Sequence, residues 1–367
     1  MHVALVRRHF TFKKGGAEGY AVLVARELLK RGWRVSVVAE MADAEGLPAG
    51  LSVHRVKTVP VKTFARHLLF IRAARRALNA LDPDKILAFC RLDRAHILRS
   101  GDPLFIHWLR RHKPNPADRL LGWLNPKQRS LLQLEERVFR SGHIRRIIAL
   151  SHMDAALMRR YYGVPPSKIV VLHNGYDPQR FNPDLRRHSQ AVRKELGIST
   201  RPLILFVGMD FKRKGLDIAL SAMRRIKEGV LVVAGGGDVR GFGALARRLG
   251  VAERVVFVGR RDDVERFYGA ADVFLLPSRY DPFCNAVLEA MASALPVAVT
   301  QDTGSAEIVR PDCGVVLPSD PDEEAVAAAV QRLLNRKESF SEAAHRIAAQ
   351  YPISKYAQKL VQLLLQT

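Results

Sequence analysis

The chain has 367 residues, of which 48% are hydrophobic and 26% are charged. This length suggests two domains with buried cores, and the composition excludes a disordered or fibrous protein. No apolar run approaches the roughly 18 residues of a membrane-spanning helix, and the opening MHVALVRRHF has the wrong order of charge and apolar residues for a signal peptide. We therefore expect a cytoplasmic protein.

Positive charge is concentrated in the first half of the chain. Residues 1–183 contain 33 Lys and Arg against 14 Asp and Glu, whereas residues 184–367 contain 26 against 22, for a formal net charge of +23 overall. Such a field attracts an anionic membrane face, a phosphorylated glycolipid or a nucleic acid. The alternative is that an arginine-rich surface simply reflects genome composition.

The cysteines indicate neither a disulfide framework nor a metal site. Cys90, Cys284 and Cys313 are an odd number and have no C-x-x-C spacing. We therefore expect reduced thiols and no metal ion.

The first 39 residues predict a strand, a turn, a helix and a second strand. His2-VALV and Arg34-VSVVA are the strands, the helix covers about residues 17–31, and Gly15 and Gly16 form the turn. Paired glycines after a strand let a ligand approach the backbone closely, although an ordinary turn is the alternative. The dinucleotide fingerprint G-x-G-x-x-G is absent, which argues against an NAD site.

The next segment includes a histidine that follows a short apolar run. A helix over residues 64–81 precedes the loop Asp82-Pro-Asp84 and a strand from Lys85. The run Leu104-Phe-Ile is typical of a short strand and is followed by His107. From residue 108 to residue 146, Trp, Leu and Arg occur at helical spacing, which favours docking at a membrane interface; helices packed on a sheet are the alternative.

The second half repeats the alternation of strands and helices. Pro202-LILFVG predicts a strand, and a loop with Lys212, Arg213 and Lys214 separates it from a helix. A further strand meets glycines at Gly235, and another ends at Arg260. Each strand end offers backbone or basic groups of the kind that bind phosphate or a nucleotide.

Residues 277–297 carry the most informative pattern. An apolar strand precedes Asp281, and helical spacing begins at Asn285. A helix start suits a diphosphate or sugar hydroxyls. Glu289 lies eight residues after Asp281, about 12 Å along a helix, so the two acids would hold opposite ends of an extended ligand rather than form a dyad.

These motifs resemble the retaining GT-B glycosyltransferases of family four. The sequence D-P-F-C-N-A-V-L-E resembles the acid-x7-acid signature, V-L-H-N-G-Y-D resembles the strand-to-linker segment, and D-F-K-R-K-G looks like the lipopolysaccharide core glucosyltransferase I branch. The resemblance implies an α/β fold of two Rossmann-like domains facing across a cleft. It places an acceptor-side domain at 1–175, with helix 352–367 crossing back, and a nucleotide-sugar domain at 176–351.

The resemblance also implies roles for individual residues. Asp281, Lys214 and His107 would be catalytic, with His107 touching the donor sugar. The donor would be bound by Gly15, Gly16, Arg180, Arg213, Lys214, Gly235, Arg260, Phe283, Cys284, Asn285, Ala286, Val287 and Glu289. Asp281 stands for the usual Glu, and Met209 stands for the usual phosphate-binding Arg, so Lys212, Arg213 or Arg180 would supply that charge.

The implied activity is hexose transfer with retention from a nucleotide diphosphate sugar, expected to be UDP-linked. The acceptor would be a lipopolysaccharide core or another acidic glycolipid at the cytoplasmic face of the inner membrane, and neither a cofactor nor a metal is expected. Two alternatives remain at this point. One is a nucleic-acid-binding protein with a degenerate nucleotide fold, and the other is a UDP-sugar epimerase of the same architecture.

Overall fold

The computed structural model describes residues 1–12, 16–43, 46–58, 63–112, 115, 125–198 and 200–367. The chain forms two compact units, residues 1–173 with 353–367, and residues 174–352. Each unit is built on a parallel β-sheet, and helices connect many of the successive strands. Over the described ranges, no helix is both long enough and apolar enough to span a membrane.

The first unit contains a seven-stranded sheet in the order β5-β3-β1-β6-β7-β8-β9, and β2 pairs separately with β4. Its strands are β1 (His2–Val6), β2 (His9–Phe10), β3 (Arg34–Ala39), β4 (Met41–Ala42), β5 (Ser52–Arg55), β6 (Lys85–Ala88), β7 (Ile97–Ser100), β8 (Arg146–Ala149) and β9 (Ile169–Val171). Because the chain moves from β1 to one side and returns to β6 on the other, β1 and β6 form the topological switch point.

The second unit contains a six-stranded parallel sheet in the order β12-β11-β10-β13-β14-β15. Its strands are β10 (Leu203–Met209), β11 (Val230–Gly236), β12 (Val255–Gly259), β13 (Val273–Leu276), β14 (Val297–Thr300) and β15 (Gly314–Leu317). Here the switch point lies between β10 and β13. In open α/β sheets, ligands bind beyond the carboxyl ends of the strands at this position.

Helices cover the sheets and bury the apolar strands. In chain order they are α1 (Gly16–Lys30), α2 (Thr63–Leu81), α3 (Phe105–His112), α4 (Pro126–Phe139), α5 (His152–Tyr162), α6 (Ser189–Glu195), α7 (Leu216–Ala222), α8 (Val239–Arg248), α9 (Glu265–Ala270), α10 (Asn285–Ala292), α11 (Glu323–Asn335), α12 (Lys337–Ala348) and α13 (Ile353–Leu365). Every residue of β1 and β13 is buried, as expected of parallel strands covered on both faces.

Most predicted elements are confirmed, including the strand before Asp281 and the helix that begins at Asn285. The strand predicted over Leu104-Phe-Ile is wrong, because α3 begins at Phe105. The amides of Phe105 and Ile106 donate to the buried carboxylate of Glu135, at 2.9 and 3.1 Å. This tertiary contact satisfies the first turn of the helix, so the local apolar pattern does not decide the structure.

Candidate functional site

Two loops meet at the switch point of the second sheet. Gly215 has φ of 76°, and a Cβ at this position would lie 1.9 Å from the carbonyl oxygen of Pro277. A side chain there would therefore separate the loop after β10 from the loop after β13. The close approach brings Lys214 to Asp281, although 67 residues separate them in the chain.

Asp281 is the centre of a buried ionic cluster, and we call it the Asp281 cluster: Asp281, Lys214, Arg213 and Cys284. Lys214 Nζ and Arg213 Nη1 each donate to Asp281 Oδ2 at 2.7 Å. Lys214 Nζ also lies 3.0 Å from Cys284 Sγ. Lys214 is 6% exposed and Asp281 is 7% exposed, so water contributes little to screening these charges.

The cluster holds its members in their charged forms, except for the thiol. Burial alone would raise the pKa of Asp281, but Lys214 and Arg213 outweigh it and lower the pKa to about 2. Burial opposes the charge of Lys214, yet Asp281 outweighs it and raises the lysine pKa. Burial also raises the pKa of the Cys284 thiol, which stays protonated beside the ammonium group. The buried Lys214 and the half-buried Arg213 therefore share one buried carboxylate.

Backbone pairing fixes the position of Asp281. Its amide donates to the carbonyl of Asp302 at 3.0 Å, and its carbonyl accepts from the amide of Gly304 at 2.8 Å. This short parallel bridge ties the turn after β13 to the loop after β14. The carboxylate is consequently held at the carboxyl edge of the sheet by two loops that are bridged to each other.

Two backbone amides at the start of α10 donate hydrogen bonds to neighbouring residues of the same segment. The Phe283 amide donates to Asp281 Oδ1 at 3.1 Å, and the Val287 amide donates to the Cys284 carbonyl. The side chain of Asn285 accepts from Asn174 Nδ2 at 2.6 Å. The amides of Phe283 and Val287 are thus already hydrogen-bonded within the chain. Ala286, in the first turn of α10, is half-buried.

Glu289 belongs to a separate hydrogen-bond network. Tyr268 Oη donates to Glu289 Oε2 at 3.0 Å. Burial raises the pKa of Glu289, against the opposing effects of Tyr268 and Arg180. Arg180 is itself held by Glu265 at 2.8 Å and by the carbonyl of Asp262 at 2.9 Å. Arg180 therefore pairs outside the Asp281 cluster, whereas Arg213 lies within it.

Gly235 and Arg260 lie where β11 and β12 end. Gly235 has φ of 128°, and a Cβ there would lie 1.9 Å from the carbonyl oxygen of Gly208. The requirement for glycine comes from contact with the neighbouring strand. Arg260 is exposed, and its Nε lies next to Gly236, within 2.9 Å of where a Cβ would be. Both residues share the edge of the sheet with Lys214.

The remaining predicted residues belong to the first unit. Gly16 is the first residue of α1, and Gly15 lies outside the described residues. His107 lies within α3, not after a strand, and its Nδ1 is 3.1 Å from Tyr161 Oη. Burial, with help from Arg111, lowers the pKa of His107 to about 4. The imidazole is therefore neutral at neutral pH and suited to hydrogen bonding rather than to charge stabilisation.

Sequence reasoning missed two residues of interest. Tyr268 supports Glu289, and Arg7 follows β1 directly at the switch point of the first sheet. A charged residue immediately after a buried strand is a recognisable signal, because such a residue lies at the carboxyl edge of a parallel sheet. No comparable local signal marks Tyr268, whose partner is 21 residues away.

Comparison with known proteins gives two family matches that together follow the two halves of the chain. The Glycosyltransferase Family 4 model matches residues 14–180, and the model of Glycosyl transferases group 1 matches residues 189–350. A lipopolysaccharide glucosyltransferase of Escherichia coli, WaaG, is 24% identical over 90% of this chain and 88% of its own length. An uncharacterised glycosyltransferase of Methanocaldococcus jannaschii is 36% identical, and that match spans about half of each chain, 47%.

Solved structures with the same fold extend over the whole chain. The crystal structure of WaaG matches with a TM-score of 0.87 and 23% identity, covering 99% of both chains. The Anabaena protein HepE, solved in complex with UDP-glucose, matches with a TM-score of 0.76 and 18% identity, covering both chains fully. Since the two family models leave few residues between 14 and 350 unmatched and the fold agrees throughout, the chain belongs to the GT-B glycosyltransferases with family 4 and group 1 domains.

Proposed function

We propose that the protein transfers a hexose from a UDP-linked sugar, with retention of configuration, onto an acidic glycolipid of the lipopolysaccharide core type. The observation that carries this proposal is the Asp281 cluster: two cations, Lys214 and Arg213, bonded to one buried carboxylate at the switch point of the second sheet, beside the start of α10. The name and the bound donor of similar proteins support the substrate classes, since WaaG is a lipopolysaccharide glucosyltransferase and HepE binds UDP-glucose.

The chemistry follows from how charge develops on the leaving group. When the bond between sugar and diphosphate breaks, negative charge grows on the phosphate oxygens, and preorganised cations stabilise it most in a dry site. Lys214 and Arg213 would exchange part of their bonding from Asp281 to the diphosphate, while Asp281 binds sugar hydroxyls. These two cations supply the positive charge without a metal ion, so we expect EDTA to leave transfer unchanged.

The donor can be identified without knowing the acceptor. Thermal shift measurements should compare UDP, GDP and ADP and their glucose conjugates, because a ligand at 100 times its dissociation constant stabilises the folded state by about 2.7 kcal/mol. We expect the UDP series to produce the largest shift. A larger shift with GDP or ADP would contradict the proposed donor, and no shift with any nucleotide would contradict the function.

The basic first half supports an anionic membrane surface as the location of the acceptor. Helix α2 carries four arginines, Arg66, Arg72, Arg75 and Arg76, and residues 1–183 hold the larger share of the net charge. We expect binding to vesicles with anionic lipids to weaken steeply between about 0.05 and 0.5 M salt, since long-range attraction is screened. Equal binding to neutral and anionic vesicles would contradict peripheral association through charge.

The alternative functions are not favoured. A nucleic-acid-binding role would use the same positive charge, but the two family matches cover both halves of the chain with glycosyltransferase domains. A UDP-sugar epimerase would share the fold. It predicts conversion of the free donor into its epimer without any acceptor, which chromatography of UDP-glucose incubated with the protein would detect.

A further inference from the structure

Arg279 lies between the two loops that carry the Asp281 cluster. It belongs to the loop after β13, shortly before Asp281, and its amide donates to the carbonyl of Arg213 at 2.8 Å. Its Nη1 donates to the carbonyl of Lys212 at 2.9 Å. One residue thus binds two consecutive carbonyls of the loop after β10, the loop that also carries Lys214.

A carboxylate fixes the guanidinium of Arg279 in this position. Its Nη1 and Nη2 donate to the two carboxylate oxygens of Asp217, each at 2.8 Å. Such a bidentate pair sets the orientation of the planar guanidinium as well as its distance. Asp217 lies in the first turn of α7, so Arg279 joins both this helix start and the loop before it to the loop after β13.

Arg213 and Arg279 cross between the two loops in opposite directions. Arg213 Nη1 donates to the carbonyl of Tyr280 at 3.0 Å and to Asp281 at 2.7 Å, both in the loop after β13. Arg279 donates from that loop back to the loop after β10. The contact between the loops therefore consists of two sets of bonds, one made by each arginine.

Donor binding would affect these two sets differently. In the proposed function, Lys214 and Arg213 exchange part of their bonding from Asp281 to the diphosphate. That exchange leaves the bonds of Arg279 in place, because they end on Asp217 and on backbone carbonyls rather than on Asp281. Cations that are held in position before charge develops stabilise it best, since no reorganisation is then needed.

We propose that Arg279 is a positioning residue for the diphosphate of the donor. It holds the loop of Lys212, Arg213 and Lys214 against the loop after β13, so that the two cations of the Asp281 cluster keep their places when they bind phosphate. This inference rests on the proposed function and deepens it, because Arg279 acts through Lys214 and Arg213 without itself contacting the donor.

The test is Arg279→Lys, which keeps the charge but cannot form the bidentate pair with Asp217. We expect the dissociation constant of UDP to rise about tenfold and kcat/KM for transfer from UDP-glucose to fall by at least as much, because the cations are displaced. The dissociation constant of uridine, which has no phosphate, should change less than twofold. Titration calorimetry with UDP and with uridine measures both constants.

Arg193→Lys is the matched control for a purely structural loss. The side chain of Arg193 is 17% exposed, against 23% for Arg279, and it pairs with Asp272 immediately before β13, at the opposite end of the same strand. We expect this variant to lower the melting temperature about as much as Arg279→Lys does. Its affinities for UDP and for uridine should both stay within twofold of the wild type.

A double-mutant cycle tests whether Arg279 acts through Lys214. In the Lys214→Ala background, Arg279→Lys should weaken UDP by about threefold or less, since one of the two positioned cations is absent. Asp217→Asn removes the ionic partner of Arg279 from the other side of the pair. It should also weaken UDP and leave uridine unchanged, and it replaces Arg279→Lys in the test if that variant does not fold.

The outcomes separate the inference from the proposed function. Unchanged UDP affinity in the folded variant, or equal weakening of UDP and uridine, overturns the positioning role. A full tenfold loss in the Lys214→Ala background also overturns it, because Arg279 would then act independently of that cation. In each case the proposed function stands if the wild type binds UDP and transfers glucose. If the wild type fails to bind UDP, the proposed function fails, and the inference with it.

Discussion

The switch points of the two sheets carry ionic clusters of opposite composition. In the second unit, Lys214 and Arg213 share the buried carboxylate of Asp281. In the first unit, the buried Arg7 holds two carboxylates, Glu18 and Asp102, which are more exposed than the arginine. At the same fold position, a carboxylate thus lies between two cations in one unit, whereas a guanidinium lies between two carboxylates in the other. Fold alone places the site, and the charges at the strand ends select the ligand.

The largest expected effect is on the cation side of this comparison. Lys214→Ala should lower kcat/KM for transfer from UDP-glucose by about 100-fold or more, the scale of losing one charge stabiliser of the leaving group. Lys212→Ala is the matched control, because Lys212 is exposed on the same loop, and its change should stay within twofold. Steady-state kinetics that are equal for the two variants would remove Lys214 from the mechanism.

The buried carboxylate of Asp281 should make the free energy of unfolding depend on pH. The pKa of Asp281 is lowered to about 2 in the folded state, so its stabilising contribution is complete above the ordinary pKa of about 4 and is lost as pH falls towards 2. The difference in free energy of unfolding between wild type and Asp281→Asn should shrink by about 2 kcal/mol between pH 5 and pH 2. Urea denaturation followed by circular dichroism measures it, and a constant difference would contradict the ionic role.

Replacing Asp281 and replacing Glu289 should have different effects on UDP binding and on transfer. Glu289→Gln should weaken UDP binding by about tenfold, since it removes a charged acceptor for the ribose hydroxyls. Asp281→Asn should not weaken UDP, because the change leaves Lys214 and Arg213 free for the diphosphate, yet it should reduce transfer. Isothermal titration of UDP compares the variants. Equal weakening in both would show that the acids do not hold opposite ends of the donor.

The smallest expected effect concerns the histidine of the first unit. With its pKa lowered to about 4, His107 does not change charge between about pH 6 and pH 8, so it adds no inflection to the pH profile of transfer in that range. Its ring proton resonances, assigned through His107→Gln, should titrate near pH 4. Titration near 6.5 would show that the ring is charged in part of the working range.

The sequence by itself determined the succession of elements and the family. The apolar run before Asp281 became β13, the helical spacing from Asn285 became α10, and the motif spacing agreed with the glycosyltransferase domains found by comparison. Local signals were sufficient there, because a fully buried parallel strand and an apolar helix each have a pattern that side-chain burial imposes on neighbouring residues.

Tertiary structure decided which charges meet. Lys214 reaches Asp281 because β10 and β13 are neighbours in the sheet, although β11 and β12 lie between them in the chain. Arg7 reaches Asp102 over 95 residues for a similar reason. The helical start of α3 likewise depends on Glu135, which is 30 residues away from Phe105. Strand order and long-range capping are properties of the packed sheet, and no window of sequence contains both partners.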